Sequence, residues 1–219
     1  MKKFLFSLCF LPLALSAQQD AKATKVLDDL SAKHKTFTTT TADFDFTISD
    51  TTSKLNDKKS GTMRLKGDKY SYTLFGATKK SNGKFVWTIN KADKTVTKDN
   101  VSSGSGSTIK PNEIFTIYKK GYKSKYIGEK TLNAKVYQVV ELVPDPATNA
   151  KSQFRKITIY ADKTSKQLYR MDLAEKKSAK VISIVIKKLT PNTVMPDTDF
   201  ELNMTKDCPG CTLDDVTLD

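Results

Sequence analysis

Histidine is almost absent from this sequence, because His34 is the only one in 219 residues. A metal site needs clustered ligands, and one histidine with Cys208 and Cys211 far along the chain does not supply them. Catalytic motifs are lacking too: the Ser- and Gly-rich residues 103–107 contain no Gly-x-Ser-x-Gly, and the glutamates are scattered over predicted strands and turns. We therefore expect no metal site, no cofactor and no enzymatic activity.

Apolar runs long enough to span a membrane are absent as well. The run FLFSLCFLPLAL at residues 4–15 is shorter than the roughly 20 residues that a spanning helix needs. Lys2 and Lys3 precede it and small residues follow it, which is typical of a secretory signal peptide. We expect residues 1–17 to be removed on export to the periplasm, and residues 18–219 to form one domain.

Cysteine is scarce, with three residues in the whole chain. Cys9 lies within the apolar run, but Leu8 precedes it where a lipidation site needs a small residue, so we do not expect a lipid anchor. Cys208 and Cys211 form a Cys-Pro-Gly-Cys motif, and in an exported protein they are expected to form a disulfide. A redox pair is the alternative, but the flanking residues predict no helix that would activate a thiol.

Acidic residues are outnumbered by basic ones. The formal charge is +13, and without Lys2 and Lys3 the remaining 35 basic and 24 acidic residues give +11. A surplus of this size favours nucleic acid, anionic lipid or an acidic protein surface as a partner. Export argues against nucleic acid.

Helical periodicity is confined to two short stretches, residues 20–35 and residues 110–121. Each has one apolar stripe on an otherwise polar helix. The stripe residues are Ala23, Val26, Leu27 and Leu30 in the first helix, and Ile114, Phe115 and Tyr118 in the second. His34 continues the first stripe, so we interpret it as a packed structural residue.

Elsewhere apolar and polar residues alternate, which is typical of strands that bury one face. Short strands recur roughly every 10 residues and favour an antiparallel meander or barrel. We also predict a flexible loop at 101–108 and a weak last strand at 199–206. The main apolar rows are Phe44, Phe46 and Ile48; Tyr72 and Leu74; Phe85, Trp87 and Ile89; and Ile182, Ile184 and Ile186.

The two predicted helices are too small to fill the inside of a sheet with so many apolar rows. Two interpretations follow. In the first, the sheet closes on itself and the rows form an ordinary core. In the second, the sheet is an open half-barrel, the helices form a lid, and an apolar ligand occupies the space between them.

Several stretches occur in a characteristic order after the N-terminal helix. They are Ala-x-Phe-x-Phe at 42–46, SGTMRLKGDKYSYTL at 60–74, Asn-Gly-Lys-x-x-Trp at 82–87, PNEIF at 111–115, GEKTLNAKVYQVVELVP at 128–144 and ITIYADKTSKQLYRM at 157–171. This order resembles the family of the periplasmic outer-membrane lipoprotein carrier LolA. The resemblance covers nearly all of residues 20–205.

The resemblance implies a mainly β fold: an incomplete antiparallel β-barrel, or half-barrel, covered by an α-helical lid. Its cavity would take the acyl chains of lipoproteins and carry them from an inner-membrane releasing transporter to an outer-membrane acceptor, without a cofactor. We expect a monomer. The cavity and lid residues would be Leu27, Leu30, Phe44, Phe46, Ile48, Leu65, Tyr72, Leu74, Phe85, Trp87, Ile89, Ile114, Phe115, Tyr118, Ile182 and Ile184.

The sequence departs from the family pattern in three places. The turn Lys66-Gly67-Asp68 lacks the arginine that helps hold the family's lid shut, and Phe200-Glu201-Leu202 replaces a Phe-x-Phe. The Cys-Pro-Gly-Cys motif near the C-terminus is not a general feature of the family. The alternative function is an exported β-rich protein without a cavity, whose basic surface binds anionic membrane or envelope components.

Overall fold

The computed structural model describes residues 20–101 and 110–218. The predicted signal peptide at 1–17 lies outside these residues, and so does the predicted loop at 101–108 after its first residue. No helix within the described residues is long and apolar enough to cross a membrane.

Helix α1, Ala21–Lys35, begins where the sequence predicts. Asp20 caps it by accepting hydrogen bonds from the backbone N–H of Lys22 at 2.9 Å and of Ala23 at 3.2 Å. The other oxygen of Asp20 accepts from the backbone N–H of Tyr126 at 2.8 Å, which joins the helix start to a strand. These bonds lower the pKa of Asp20, and the bond from Tyr126 lowers it most.

Within residues 20–101 and 110–218, twelve strands make one sheet. They are β1 Thr40–Asp50, β2 Leu55–Lys66, β3 Lys69–Leu74, β4 Ala77–Ser81, β5 Phe85–Asn90, β6 Thr95–Asn100, β7 Tyr122–Leu132, β8 Lys135–Pro144, β9 Phe154–Asp162, β10 Leu168–Glu175, β11 Lys180–Pro191 and β12 Thr212–Asp215. Their order is β12-β6-β5-β4-β3-β2-β1-β11-β10-β9-β8-β7. All neighbours are antiparallel except β12 and β6, which are parallel.

The sheet is open, because β7 and β12 are its edges and do not pair with each other in the described chain. This confirms the predicted mainly β fold with a sheet that is not closed into a barrel. We call the face that carries α1 the inner face. The helix stripe packs there against buried residues of β8 to β10, including Leu142, Ile159 and Met171.

The second predicted helix is wrong in type and length. Residues 110–121 contain two 3₁₀ helices, Pro111–Glu113 and Ile117–Lys119, instead of one α-helix. The stretch from Ile114 to Ile117 is β-branched or aromatic throughout, which lowers helix propensity, and neither 3₁₀ helix has a side-chain cap. We call residues 110–120 the roof segment.

The chain after β11 also differs from the prediction. In place of a strand at 199–206 there is a 3₁₀ helix, Asp197–Phe200, and a short helix α2, Met204–Asp207. Asn203 starts α2 by accepting from the backbone N–H of Lys206 at 3.0 Å, a capping role that the strand pattern did not reveal. We call residues 192–218 the C-terminal segment.

Candidate functional site

An apolar cavity of about 350 Å³ lies between the inner face of the sheet and the roof segment. Among its described lining residues, only Gln153 and Glu175 carry an amide or a charge. Burial raises the pKa of the lining Tyr72 to about 12, so its phenol is neutral at ordinary pH. The volume is at the lower end of the roughly 300–1,000 Å³ typical of ligand pockets.

Eight of the predicted site residues line this cavity. They are Phe44, Phe46, Tyr72, Leu74, Ile114, Phe115, Ile182 and Ile184. The pairing of β1 with β11 brings these residues together. Phe44 lies opposite Ile186, and Phe46 lies opposite Ile184. Directly opposed residues of antiparallel strands share a face, so these pairs form one continuous apolar surface.

Gly61 leaves space for the Phe44 ring in this wall, because it has no side chain. The two residues are opposite each other across β1 and β2. A Cβ atom at Gly61 would lie 2.8 Å from Phe44 Cζ and 2.6 Å from the carbonyl oxygen of Thr73. The missing side chain therefore leaves the ring room to lie across β2.

Five other predicted residues lie on the inner side but do not line the cavity. Leu27, Leu30 and Tyr118 belong to the core between α1 and β8 to β10. Leu65 packs beside the cavity with Ala42 and Tyr70. Ile48 continues the β1 row, opposite Ile182, beyond the lining residues.

The predicted row in β5 lies on the opposite, outer face, which corrects its assignment to the cavity. Val86 packs into the inner cluster around Phe44, so strand alternation sends Phe85, Trp87 and Ile89 to the outer side. The C-terminal segment covers this row with Leu202, Met204 and Cys208, among others, and leaves Trp87 6% exposed.

Several cavity residues were missed. They are Met63, Pro111, Gln153, Phe154, Leu168, Met171, Leu173, Glu175 and Ile186. Leu168 and Met171 share the cavity although they are three apart, because the β9–β10 register shifts between Leu168 and Arg170. Strict alternation puts residues three apart on opposite faces, so the pattern alone does not pair them.

The roof segment is held to the rest of the molecule at its two ends. Asn112 Nδ2 donates to Asp68 Oδ1 at 3.1 Å. The Tyr118 hydroxyl donates to the Asp28 carboxylate of α1. The turn that lacks the family arginine therefore still contacts the roof, through Asp68.

His34 forms a second contact between α1 and the roof. Its ring stacks on Phe115 with centroids 3.3 Å apart and is 8% exposed. Burial, with the charge of Lys33 as a smaller cause, lowers the pKa of His34 to about 3. The imidazole is therefore neutral at ordinary pH.

Cys208 and Cys211 form a disulfide with their Cα atoms 5.5 Å apart. Cys208 is 2% exposed and packs with Trp87, Ile89 and Val96. The residues before the pair do form a helix, α2, contrary to expectation, but it ends at Asp207, and Cys208 is its C-cap. The pair thus lacks the helix N-terminus that activates redox thiols.

A family model described as outer membrane lipoprotein carrier protein LolA matches residues 13–173. No curated protein matches the chain. The solved structure of an uncharacterized conserved protein from Thermus thermophilus is similar with a TM-score of 0.59 and 8% identity, over 89% of this chain and 99% of that one. The structure of the Mycobacterium tuberculosis lipoprotein LppX is similar with a TM-score of 0.52 and 11% identity, over 81% of this chain and 100% of that one. At identities this low, the similarity to these two structures shows a shared fold and nothing more.

Proposed function

The chain belongs to the family of the outer membrane lipoprotein carrier protein LolA, and we propose that it carries lipoproteins from the inner to the outer membrane. The observation that supports this proposal is the apolar cavity of about 350 Å³ under the roof segment. In this proposal the protein is a periplasmic monomer without enzymatic activity. It receives cargo from an inner-membrane transporter and releases it to an outer-membrane acceptor.

Apolar burial supplies the binding energy for such cargo. Each methylene moved from water into the cavity contributes about 0.8 kcal/mol, so shielding one acyl chain gains on the order of 10 kcal/mol. Incomplete shielding keeps release fast enough for a carrier. The polar Gln153 and Glu175 in the lining are consistent with such a partly open site.

The roof segment is the part that has to move when a lipoprotein with several acyl chains binds. Its C-terminal half is fixed, because Ile117 and Tyr118 are buried in the core with α1. Its N-terminal half is held by the Asn112–Asp68 hydrogen bond and by the stack of Phe115 on His34, among other contacts. Opening of the N-terminal half alone needs only a modest affinity difference between the closed and open states.

Binding is tested by titrating the protein with a triacylated lipopeptide and with its deacylated form. We expect binding of the acylated form alone. Phe46→Ser in the cavity wall is expected to weaken it about tenfold or more through lost apolar contact. Phe85→Ser is the matched control, because Phe85 is a partly buried phenylalanine on the outer face. Equal loss in both variants, or no binding at all, contradicts the proposal.

Carriage is tested separately by mixing the purified protein with spheroplasts that contain a labelled lipoprotein. A carrier releases the lipoprotein into the soluble fraction as a complex, and Phe46→Ser releases less. A protein that binds acyl chains without carrying lipoproteins passes the first test and fails this one.

The alternative of a basic surface protein requires a molecule without a cavity, and the cavity counts against it. Lys80 and Lys98 are paired with Asp207 and Asp215, both at 2.7 Å, so these two lysines are not free to bind an anionic surface.

A further inference from the structure

A second cleft, of about 180 Å³, lies on the outer face of the sheet where β10 and β11 separate. Residues 170–174 of β10 pair with residues 181–185 of β11, but β11 continues to Pro191 without pairing to β10 in the described chain. We call this space the outer cleft. Its lining includes Lys135, Tyr137, Asp162, Tyr169, Lys187 and Lys188.

Two extra residues mark the point where these strands separate. The pairing of β9 with β10 leaves out Tyr169, and the pairing of β1 with β11 leaves out Lys187. Both lie within two residues of the last pair between β10 and β11, which is Arg170 with Val185. Such bulges bend their strands and redirect side chains, and they are frequent beside functional sites. The outer cleft therefore arises from the sheet itself and not from a gap between loops.

The bulge in β11 brings two consecutive lysines to the outer face. Lys187 Nζ lies 3.8 Å from Asp45 Oδ2, and Lys188 lies opposite Asp43 across β1 and β11. Asp43 and Asp45 alternate with the inner-face residue Phe44, so both lysines are on the outer side. In a regular strand, consecutive side chains would point to opposite faces.

Two tyrosines form another wall of the outer cleft. Tyr169, the extra residue of β10, stacks on Tyr137 of β8 with ring centroids 4.2 Å apart. Tyr137 is only 4% exposed and packs with Val139 and Tyr160, so its position is fixed. A fixed wall preorganises the cleft for a ligand, which lowers the entropy lost on binding.

The outer cleft is positively charged, because three lysines line it and only one carboxylate, that of Asp162. Lys135 and Lys188 form no ion pair with residues 20–101 or 110–218. Lys187 approaches Asp45, but that carboxylate also pairs with Lys58, at 2.9 Å. The ammonium groups of the cleft are therefore largely without anionic partners in the described chain.

The carboxylate of Asp162 has a structural role of its own. Asp162 Oδ1 accepts hydrogen bonds from the backbone N–H of Thr164 at 2.9 Å and of Ser165 at 2.8 Å, which fixes the β9–β10 turn. The turn explains this carboxylate without a ligand. No comparable contact explains the lysines.

An oxyanion fits the charge and the size of the outer cleft. Ammonium groups only donate hydrogen bonds, and a negatively charged acceptor strengthens those bonds. The lysines disfavour a cation, and the mostly polar side chains of the lining disfavour an apolar ligand. The volume of about 180 Å³ is below the roughly 300 Å³ at which pockets begin to enclose a whole small molecule. It suits a single compact group.

We propose that the outer cleft binds a phosphate group, of a free phosphomonoester or of a lipid head group, with Lys135, Lys187 and Lys188 as hydrogen-bond donors. The site lies on the opposite side of the sheet from the apolar cavity, beyond Leu168 and Ile186, which line both spaces. It adds a second class of ligand and does not depend on the proposed binding of acyl chains.

Glycerol 1-phosphate is the soluble probe, and isothermal titration calorimetry at fixed ionic strength measures its binding. Lys135→Gln/Lys188→Gln removes two of the three donors, and both positions are exposed, so we expect the variant to fold. Binding should weaken about fivefold or more, the effect of two charged contacts in a partly exposed site. Added salt should weaken binding to the wild type as well.

The matched control is Lys91→Gln/Lys151→Gln, which removes the same charge from two exposed lysines outside the cleft. It should bind glycerol 1-phosphate within about twofold of the wild type. Phe46→Ser, which is expected to weaken acyl binding, should also leave phosphate binding unchanged. The proposed function and this inference can therefore fail separately.

Flotation with phosphatidylcholine vesicles, with and without phosphatidylglycerol, distinguishes the two sources of phosphate. Binding to phosphatidylglycerol vesicles that only the cleft variant loses assigns the site to a lipid head group. Binding of glycerol 1-phosphate alone, with the same loss, assigns it to a free phosphate compound. The inference is overturned if the wild type binds neither probe. It is also overturned if the cleft and control variants lose equal affinity, because the overall charge and not the cleft is then responsible.

Discussion

The rows of β1 and β5 share a sequence pattern but differ in what covers them. Phe44 and Phe46 lie on the inner face and border an open cavity under the roof segment. Trp87 and Ile89 lie on the outer face, 6% and 1% exposed, under the C-terminal segment. The outer row contributes its burial to stability, whereas the inner row leaves part of its surface free for a ligand.

The largest difference is expected when one isoleucine is truncated in each row. Ile89→Ala removes a 1% exposed side chain from a packed cluster and should lower the free energy of unfolding by about 3–4 kcal/mol. Ile184→Ala, in the cavity wall, should cost about 1–2 kcal/mol, because little new cavity surface forms where space already exists. Urea unfolding measures both values, and equal losses contradict the idea that the inner row is incompletely packed.

The next effect concerns the ion pairs that hold the C-terminal segment. Lys80 Nζ donates to the Asp207 carboxylate at 2.7 Å, and their side chains are 13% and 12% exposed. Asp207→Asn should cost about 2–3 kcal/mol, typical of a lost buried hydrogen bond to a charged group. The matched control is Asp197→Asn in the same segment: Asp197 also pairs with lysines but is 58% exposed, so water replaces its partners. If Asp197→Asn loses more unfolding free energy than Asp207→Asn, burial of the ion pair is not what makes it stabilising.

The disulfide should have a slightly smaller effect. Closing so short a loop lowers the entropy of the unfolded chain, which stabilises the fold by about 2 kcal/mol. The double variant Cys208→Ala/Cys211→Ala should therefore lose about 2 kcal/mol of unfolding free energy. Because Cys208 packs on Trp87, loosening the segment should also shift Trp87 emission to longer wavelength. An acylated lipopeptide should leave this emission unchanged, since Trp87 faces away from the cavity.

Reduction of the wild type with dithiothreitol is the control for the disulfide, because it breaks the bond without changing the side chains. The reduced protein should show the same emission shift as the double variant. A shift on lipopeptide binding with no response to reduction would reverse our assignment of the two faces.

The sequence predicts the β-sheet and α1 well, because both follow from local periodicity. Phe44, Phe46, Ile182 and Ile184, which the sequence predicts to share a face, do lie together in the cavity wall, since β1 and β11 are adjacent strands. The face of Trp87 was not predictable in this way. Alternation shows that a strand has two faces, but only the pairing through β4 and β3 relates them to the cavity.

The covers of the sheet were harder to predict than the sheet itself. The roof and the C-terminal segment are short turns of 3₁₀ helix and helix α2, without sustained periodicity. They are held by contacts between residues far apart in the chain, such as Asn112 with Asp68 and Lys80 with Asp207. Contacts between residues so far apart in the chain cannot be predicted from local sequence periodicity.

The smallest expected effect is a pH dependence that belongs to the roof side alone. The pKa of His34 is about 3 in the folded protein because the side chain is buried, against about 6.5 in an unfolded chain. The unfolded state therefore binds more protons below about pH 6.5, and stability falls as the pH falls. Between about pH 7 and pH 5.5 the loss should be about 1 kcal/mol.

His34→Phe should abolish this loss, because phenylalanine does not titrate. Carboxylates with lowered pKa, such as Asp45 and Asp197, lose their contribution only at more acidic pH, as they protonate in the folded state. Above about pH 5 the pH dependence of stability therefore comes from His34 and not from these carboxylates. Urea unfolding at both pH values, followed by circular dichroism, measures the difference, and an equal loss in wild type and variant rules out burial of a neutral His34 as its cause. Trp87 emission in the native state should stay constant over the same window, because the outer row and its cover are separate from α1 and the roof.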